Sequence, residues 1–376
     1  MKNEGKNLNK LLTAIKTTDI FFIQLTFLIA VIGLIFALTS STNESYRLTK
    51  NFWSLGLKQI MSFIAGIFAL VIFWMIPIKF WYQNVWKLAT GISVIMILTV
   101  FTGLGKTVGG SQRWIDFGII QFQPAEIAKF VIILLLSKQL VTHKWYEKES
   151  YFYLGCSMFL IAIVLKQPDL GTTLLLLLVV LQLLFIGEWP IWFLIGVSAL
   201  GGLGCYLKII STPYQMDRIK FWLNPYLEPL GRGYNHIQAQ YALGLGGLFG
   251  AGIGNSIQKK GNLPVAHSDF IFAVVGEEVG FIGVTVILIL LFTWFLRGIY
   301  LLNKVENKFS FYVGYGIMSL MITQALINIA VAIGLFPITG VTLPFFSCGG
   351  TSLIISFIMC GILFNIISAS KNKQIF

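Results

Sequence analysis

The sequence predicts an all-α integral membrane protein of about ten transmembrane helices, with both termini cytoplasmic and a large extracytoplasmic loop between helices 7 and 8. Three observations predict it. Hydrophobic residues make up 56% of the 376 and charged residues only 11%, with a mean hydropathy of +0.81. Soluble domains carry about 25% charge, so this chain has too few charges to coat a water-facing surface. Apolar runs close to the roughly 20 residues that span a bilayer recur at 19–38, 54–76, 81–103, 124–142, 151–165, 170–187, 190–208, 268–296, 310–335 and 350–370. Finally, Lys and Arg alternate in density between successive connecting segments.

Residues 1–18 form a basic tail with Lys2, Lys6, Lys10 and Lys16. The run that follows is too long for a signal-peptide core and lacks a small-residue cleavage site, so it reads as an uncleaved first helix. The fifth and sixth runs are short, separated only by Lys166, Gln167, Pro168 and Asp169. Residues 19–370 make one transmembrane domain, and 371–376 a second cytoplasmic tail. An even number of spans places both termini on one side. With that side cytoplasmic, the inner segments hold fourteen Lys and Arg, against Arg47, Lys50, Lys106, Arg113 and Lys166 in the short outer loops. This is the positive-inside bias. The net charge of +12 is thus explained by topology and does not imply nucleic acid. Cys156, Cys205, Cys348 and Cys360 form no CxxC pair and read as small buried residues.

Two outer loops stand out. Residues 104–123 are dense in Gly and polar groups. Residues 209–267 are long, aromatic and basic, and should fold against the membrane as short amphipathic helices. The 231–254 stretch is glycine-rich but lacks the G-K-[ST] ending of a phosphate loop, so its glycines suit close backbone packing. Lys208, Arg218, Lys220, Arg232, Lys259 and Lys260 outnumber the acids Asp217 and Glu228 here. Such cations attract an anionic ligand or head group.

Ionisable residues within spans are expensive and tend to be paired or functional. Glu126 and Lys129, three apart, share a helical face; a structural ion pair and a substrate or proton site are both open. Lys166 and Asp169 flank Pro168 and order a turn or meet a head group. Asp269 stands where the long loop enters the eighth span, behind His267 and Ser268. A carboxylate at a water–lipid boundary is desolvated and suited to general-base work; an N-cap is the alternative. Glu277 or Glu278, deeper, could neutralise Lys129 or Arg113. His236 and His267 are too far apart in sequence to argue for a metal. The segment GLFPITGVTLPFFSCGGTSL (334–353), with Ser347 among its hydroxyls, should be a partly re-entrant loop facing the same outer cavity.

Six segments taken together resemble the SEDS family (shape, elongation, division and sporulation). They are GGSQRWIDFGIIQFQPAEIAK (109–129), KQPDLGT (166–172), PYQMDRIKFWLNP (213–225), GRGYNHIQAQYALGLGGLFGAGIG (231–254), LPVAHSDFIFAVVGEEVGFIG (263–283) and QALINIAVAIGLFPITGVTLPFFSCGGTSL (324–353). The resemblance implies ten spans and peptidoglycan glycosyltransferase activity at the cytoplasmic membrane. Asp269 matches the family's essential loop aspartate; Arg113, Trp114, Glu126 and Lys129 match its first outer loop and fourth helix. Val265 stands where the family has Glu. Residues 228–231 and Gln258-Lys259 look more like the division branch, RWIDFG more like the elongation branch; division is favoured.

The implied substrate is lipid II. Asp269 would take the proton from the acceptor GlcNAc 4-hydroxyl, which attacks the donor MurNAc anomeric carbon with inversion and expels undecaprenyl pyrophosphate. Arg113, Lys129, Arg218 and Arg232, or a divalent cation (Mg or Mn), would meet the pyrophosphate charge; Trp114, Glu126, Lys166, Asp169, His267, Ser268 and Ser347 complete the substrate-binding set. The family implies a class B penicillin-binding protein as transpeptidase partner, along with other division or elongation membrane proteins. A lipid II flippase and a non-catalytic scaffold are the rival readings. A flippase places its polar site near the midplane, whereas here the unusual residues cluster on the outer face.

Overall fold

The computed structural model describes residues 18–102, 105–108, 111–116, 121–260, 263–264 and 266–371. The N-terminal lysines, Lys373 and Val265 lie outside the described residues. Among these residues are twelve α-helices: α1 (Ile20–Thr49), α2 (Ser54–Met75), α3 (Ile78–Phe101), α4 (Pro124–Thr142), α5 (Lys148–Lys166), α6 (Leu170–Ile186), α7 (Ile191–Ser211), α8 (Pro213–Leu223), α9 (Tyr234–Gly246), α10 (Ile271–Leu302), α11 (Lys308–Ala332) and α12 (Gly350–Lys371). Eight of them, α1, α2, α3, α5, α7, α10, α11 and α12, are long and apolar enough to cross a membrane. The chain is a multi-pass membrane protein. Helix α6 has 17 residues, and α4 carries Glu126, Lys129 and Lys138.

Helix α4 lies at the centre, packed against α3, α5, α6 and α11. It is buried on all sides over most of its length, which is why its sequence shows no polar face. Helices α2 and α12 pack closely at two glycines: a Cβ on Gly66 would strike the Phe357 ring, and one on Gly361 the Leu70 carbonyl. Small residues are what let membrane helices approach in this way.

The first span runs eleven residues beyond the expected end at 38. The polar run Thr39-Ser40-Ser41-Thr42 reads as a loop, but its hydroxyls bond back to the helix, Thr39 Oγ1 to Phe36 O at 3.1 Å and Thr42 Oγ1 to Thr39 O at 3.1 Å. Asp19 caps the start by accepting from Phe22 N, and Lys50 ends the helix at φ 57. At about 45 Å the helix outruns the hydrocarbon core and brings Thr39 to Glu278 of α10 and Asn43 to Lys259 of the long loop.

The 104–123 loop carries regular structure among its described residues. It holds an antiparallel sheet of β1 (Gly105–Val108), β2 (Ser111–Asp116) and β3 (Gln121–Phe122), in that order. Gly105 pairs with Ile115 and Lys106 with Trp114; Ile115 pairs with Phe122. The Gly109-Gly110 dipeptide between β1 and β2 is a hairpin signal that helix-scale hydropathy passes over. Thr351 Oγ1 donates to Gln121 O at 2.5 Å and ties the sheet to α12.

The long loop does fold as short helices, α8 and α9 with two 3₁₀ turns, Pro225–Leu227 and Gln258–Lys260. Its glycine-rich part wraps α10 where that helix kinks at Gly280 (φ 67, ψ −173). The kink frees backbone groups, and the loop takes them. Ala251 N donates to Glu277 O and Gly252 N to Glu278 O, both at 2.9 Å; Phe281 N donates to Gly247 O at 2.9 Å. A Cβ on Gly246, Gly250 or Gly280 would collide with backbone across this contact.

Candidate active site

The expected eighth span begins later than 268. Helix α10 starts at Ile271, and its N-cap is Phe270, with no side-chain cap bond. Asp269 therefore does not serve as the cap. It sits half-buried in the turn before the helix, and its carboxylate accepts from Ser268 Oγ at 3.1 Å. The main chain around it is pinned at three successive carbonyls. Cys348 N donates to His267 O at 2.8 Å, Ser347 Oγ to Ser268 O at 2.7 Å, and Asn328 Nδ2 to Asp269 O at 3.1 Å. Two of these donors come from the strap at 333–349 that joins α11 to α12.

Gly340 of the strap has φ 77, and a Cβ there would lie 3.8 Å from Asp269 Oδ2. The strap in turn abuts the start of α6, where a Cβ on Gly171 would reach Thr339 O. At that corner Asp169 caps α6, accepting from Thr172 N at 3.0 Å. Arg113 of β2 closes the corner. Its Nε donates to Gln167 O at 3.0 Å, its Nη2 to Pro168 O at 2.6 Å, and its Nη1 lies 3.2 Å from Asp169 Oδ2. Helix α8 joins from above: Gln215 Nε2 donates to Pro168 O at 3.2 Å and Trp222 Nε1 to Gly334 O at 2.9 Å.

These contacts bring Arg113, Asp169 and Arg218 within electrostatic reach of Asp269. Burial pushes the Asp269 carboxyl above the ordinary carboxylate range. The Ser268 hydroxyl and the charges of Arg218 and Arg113 pull it down, and Asp169 pushes it up. His267, half-buried, is held below the usual imidazole range by burial, opposed by Glu44 of α1. Arg218 stacks on Tyr214, 4.6 Å from the ring centre. Trp114 is half-buried on β2.

Several residues expected at this site are engaged elsewhere. Lys129 Nζ lies 2.7 Å from Glu126 Oε1 and 3.4 Å from Gln324 Oε1. Both ions are buried, so neither is free for a pyrophosphate. Arg232 pairs with Asp217 and lies over Phe221. Ser347 is buried, donating to Ser268 O and accepting from Leu343 N, so its hydroxyl holds the loop. Lys166 is exposed at the end of α5. Glu277 and Glu278 meet neither Lys129 nor Arg113. Glu277 accepts from Ser256 Oγ at 2.5 Å and Ile257 N at 2.6 Å. Glu278 pairs with Lys259 at 2.6 Å and accepts from Thr39 Oγ1 at 3.3 Å. Lys259 is thus removed from the expected basic groove. Among the described residues, one group of three possible metal ligands lies close together, His143, Glu147 and Glu149. It sits between α4 and α5, at the other end of α5 from Lys166.

Sequence reasoning missed Gln324 and Asn328. Two amides four apart in the apolar α11 were the available signal.

The profile of the FtsW, RodA and SpoVE family, described as a cell cycle protein, matches residues 19–372. The chain belongs to this family. It is 34% identical over 368 residues to stage V sporulation protein E of Bacillus subtilis, covering 96% of this chain and all of that one. It is 36% identical over 374 residues to a probable peptidoglycan glycosyltransferase FtsW of Buchnera aphidicola subsp. Baizongia pistaciae, covering 96% of each. Among solved structures, it resembles a chain from a study of how a peptidoglycan synthase complex coordinates polymerization and crosslinking, with TM-score 0.77, 25% identity and coverage of 95% and 98%. The rod shape determining protein RodA of Thermus thermophilus shares the fold, with TM-score 0.70, 22% identity and coverage of 96% and 98%.

Proposed function

We propose that this protein is a peptidoglycan glycosyltransferase that polymerises lipid II into glycan strands on the outer face of the cytoplasmic membrane, in septal wall synthesis. The observation that carries the chemistry is Asp269: its main chain is fixed at three carbonyls, and its carboxylate does no capping work. In this reading Asp269 accepts the proton of the acceptor GlcNAc 4-hydroxyl as that oxygen attacks the donor anomeric carbon. The C–O bond to undecaprenyl pyrophosphate breaks with inversion. General-base help of this kind contributes about 10²–10⁴ in rate. In this reading Arg218 of α8 meets the leaving charge, and Trp114 lies on the strand that carries Arg113. Lys129, Arg232 and Arg113 drop out of that role because acids neutralise them, Glu126, Asp217 and Asp169 in turn.

The FtsW relatives support septal synthesis, with elongation as the alternative branch. A class B penicillin-binding protein supplies crosslinking in this reading, as the polymerization-and-crosslinking complex suggests. We assign ten spans, with both termini cytoplasmic and Asp269 at the outer rim. The test is purified protein with lipid II, with and without a class B penicillin-binding protein. Glycan strands should form, and Asp269→Asn should fold but make none. Normal polymerisation by that variant sinks the mechanism. Lipid II translocation across vesicles without polymer would instead support a flippase. Chelator treatment, with Mg or Mn added back, tests assistance by a divalent ion.

A further inference from the structure

Asn328 lies inside α11 and is 1% exposed. Its Nδ2 donates in two directions, to Asp269 O at 3.1 Å and to Val341 O at 2.8 Å. A single side-chain amide thus joins the turn that carries the carboxylate to the strap that closes against it. Its Oδ1 finds no partner among the described residues. A buried amide oxygen without a partner is unfavourable, and a Leu of similar size would fill the space without that cost. Packing therefore does not account for this side chain; its two donated bonds do.

One turn earlier, Gln324 Nε2 donates to Thr342 O and Thr342 Oγ1, both at 2.9 Å. The amides of α11 therefore hold two consecutive strap residues, Val341 and Thr342. The strap itself supplies the donors to His267 O and Ser268 O, whereas the donor to Asp269 O comes from a helix. A carbonyl held in place fixes the peptide plane beyond Asp269, and with it the direction in which the side chain leaves Cα.

We infer that Asn328 is a positioning residue for the reaction: through the Asp269 carbonyl and the strap it aims the Asp269 carboxylate at the acceptor hydroxyl. This rests on the reading of Asp269 as general base. The charged and titratable groups facing Asp269 are Arg218 of α8, Arg113 of β2 and Asp169 at the start of α6, with the Ser268 hydroxyl beside it. The strap presents Gly340 there.

The test uses full-length Asn328→Leu beside Asp269→Asn in lipid II polymerisation, with the thermal midpoint and lipid II binding measured on each. Asn328→Leu should lower kcat tenfold or more and leave the KM for lipid II within twofold. It should also move the acid limb of kcat/KM to lower pH, because a carboxyl released from its fixed main chain regains water. If Asn328→Leu does not fold, Asn328→Ala, which can neither donate nor carry a charge, takes its place with the same expectations. A folded variant with unchanged kcat overturns the inference. So does a loss of kcat with an unmoved acid limb, which would make Asn328 a packing residue. If Asp269→Asn polymerises normally, the general-base reading falls, and the inference with it.

Discussion

At Asp269, burial and Asp169 favour the neutral acid, while Ser268, Arg218 and Arg113 favour the carboxylate. A general base acts ionised, so rate is lost as pH falls through a value above the ordinary carboxylate range. Arg218→Met removes a charge that lowers this value, so the acid limb of kcat/KM should move to higher pH. Asp169→Asn keeps an acceptor for Thr172 N but removes a charge that raises it, so the limb should move to lower pH. A pH–rate series on the two variants reads both shifts, and movement in the same direction would refute the arrangement. Asp269 was legible in the sequence as a carboxylate at a boundary. Its freedom from the cap was not, because a cap and a base occupy the same position in a sequence. The full set of partners of Lys129, Arg232 and Ser347 was not legible for a related reason: what occupies them is fixed by the fold. Gln324 lies 195 residues beyond Lys129, and no local pattern announces such a contact.

The junction of α10 with the glycine-rich loop makes Gly246, Gly250 and Gly280 intelligible. Gly280→Ala would impose a side chain on φ 67 and press it into the backbone around Gly250. The backbone strain alone is worth about 1–3 kcal/mol, and the detergent-solubilised variant should melt correspondingly lower. Removing one member of a buried ion pair leaves an uncompensated charge, which costs about 3–5 kcal/mol. Lys259→Met should therefore destabilise strongly, and adding Glu278→Leu should recover much of the loss; equal melting of the single and double variants would argue against a coupled pair. Hydropathy located nearly every helix here to within a few residues. It failed at Thr39–Thr42, where hydroxyls satisfy themselves on their own helix, and at the small sheet, whose strands are far shorter than a spanning window.

Across the whole molecule, composition and the recurring apolar runs carried the helical membrane architecture, because a bilayer imposes its thickness on every span; the Lys/Arg asymmetry adds the proposed orientation. The ten-span orientation predicts opposite labelling of two sites in a cysteine-free background. Tyr226→Cys should react with an impermeant maleimide added outside intact cells, and Lys148→Cys only after permeabilisation. Reversed labelling would overturn the orientation. The pairing of Glu278 with Lys259 also bears on how the chain is made. Lys259 and Ser256 leave the ribosome before α10 does, so in the proposed orientation the ammonium that pairs with Glu278 and the hydroxyl that bonds Glu277 reach the insertion machinery ahead of that helix. Helix α10 can then enter lipid with its acids already partnered, and a circularly permuted chain in which α10 is synthesised ahead of this loop would have to insert it with both charges bare.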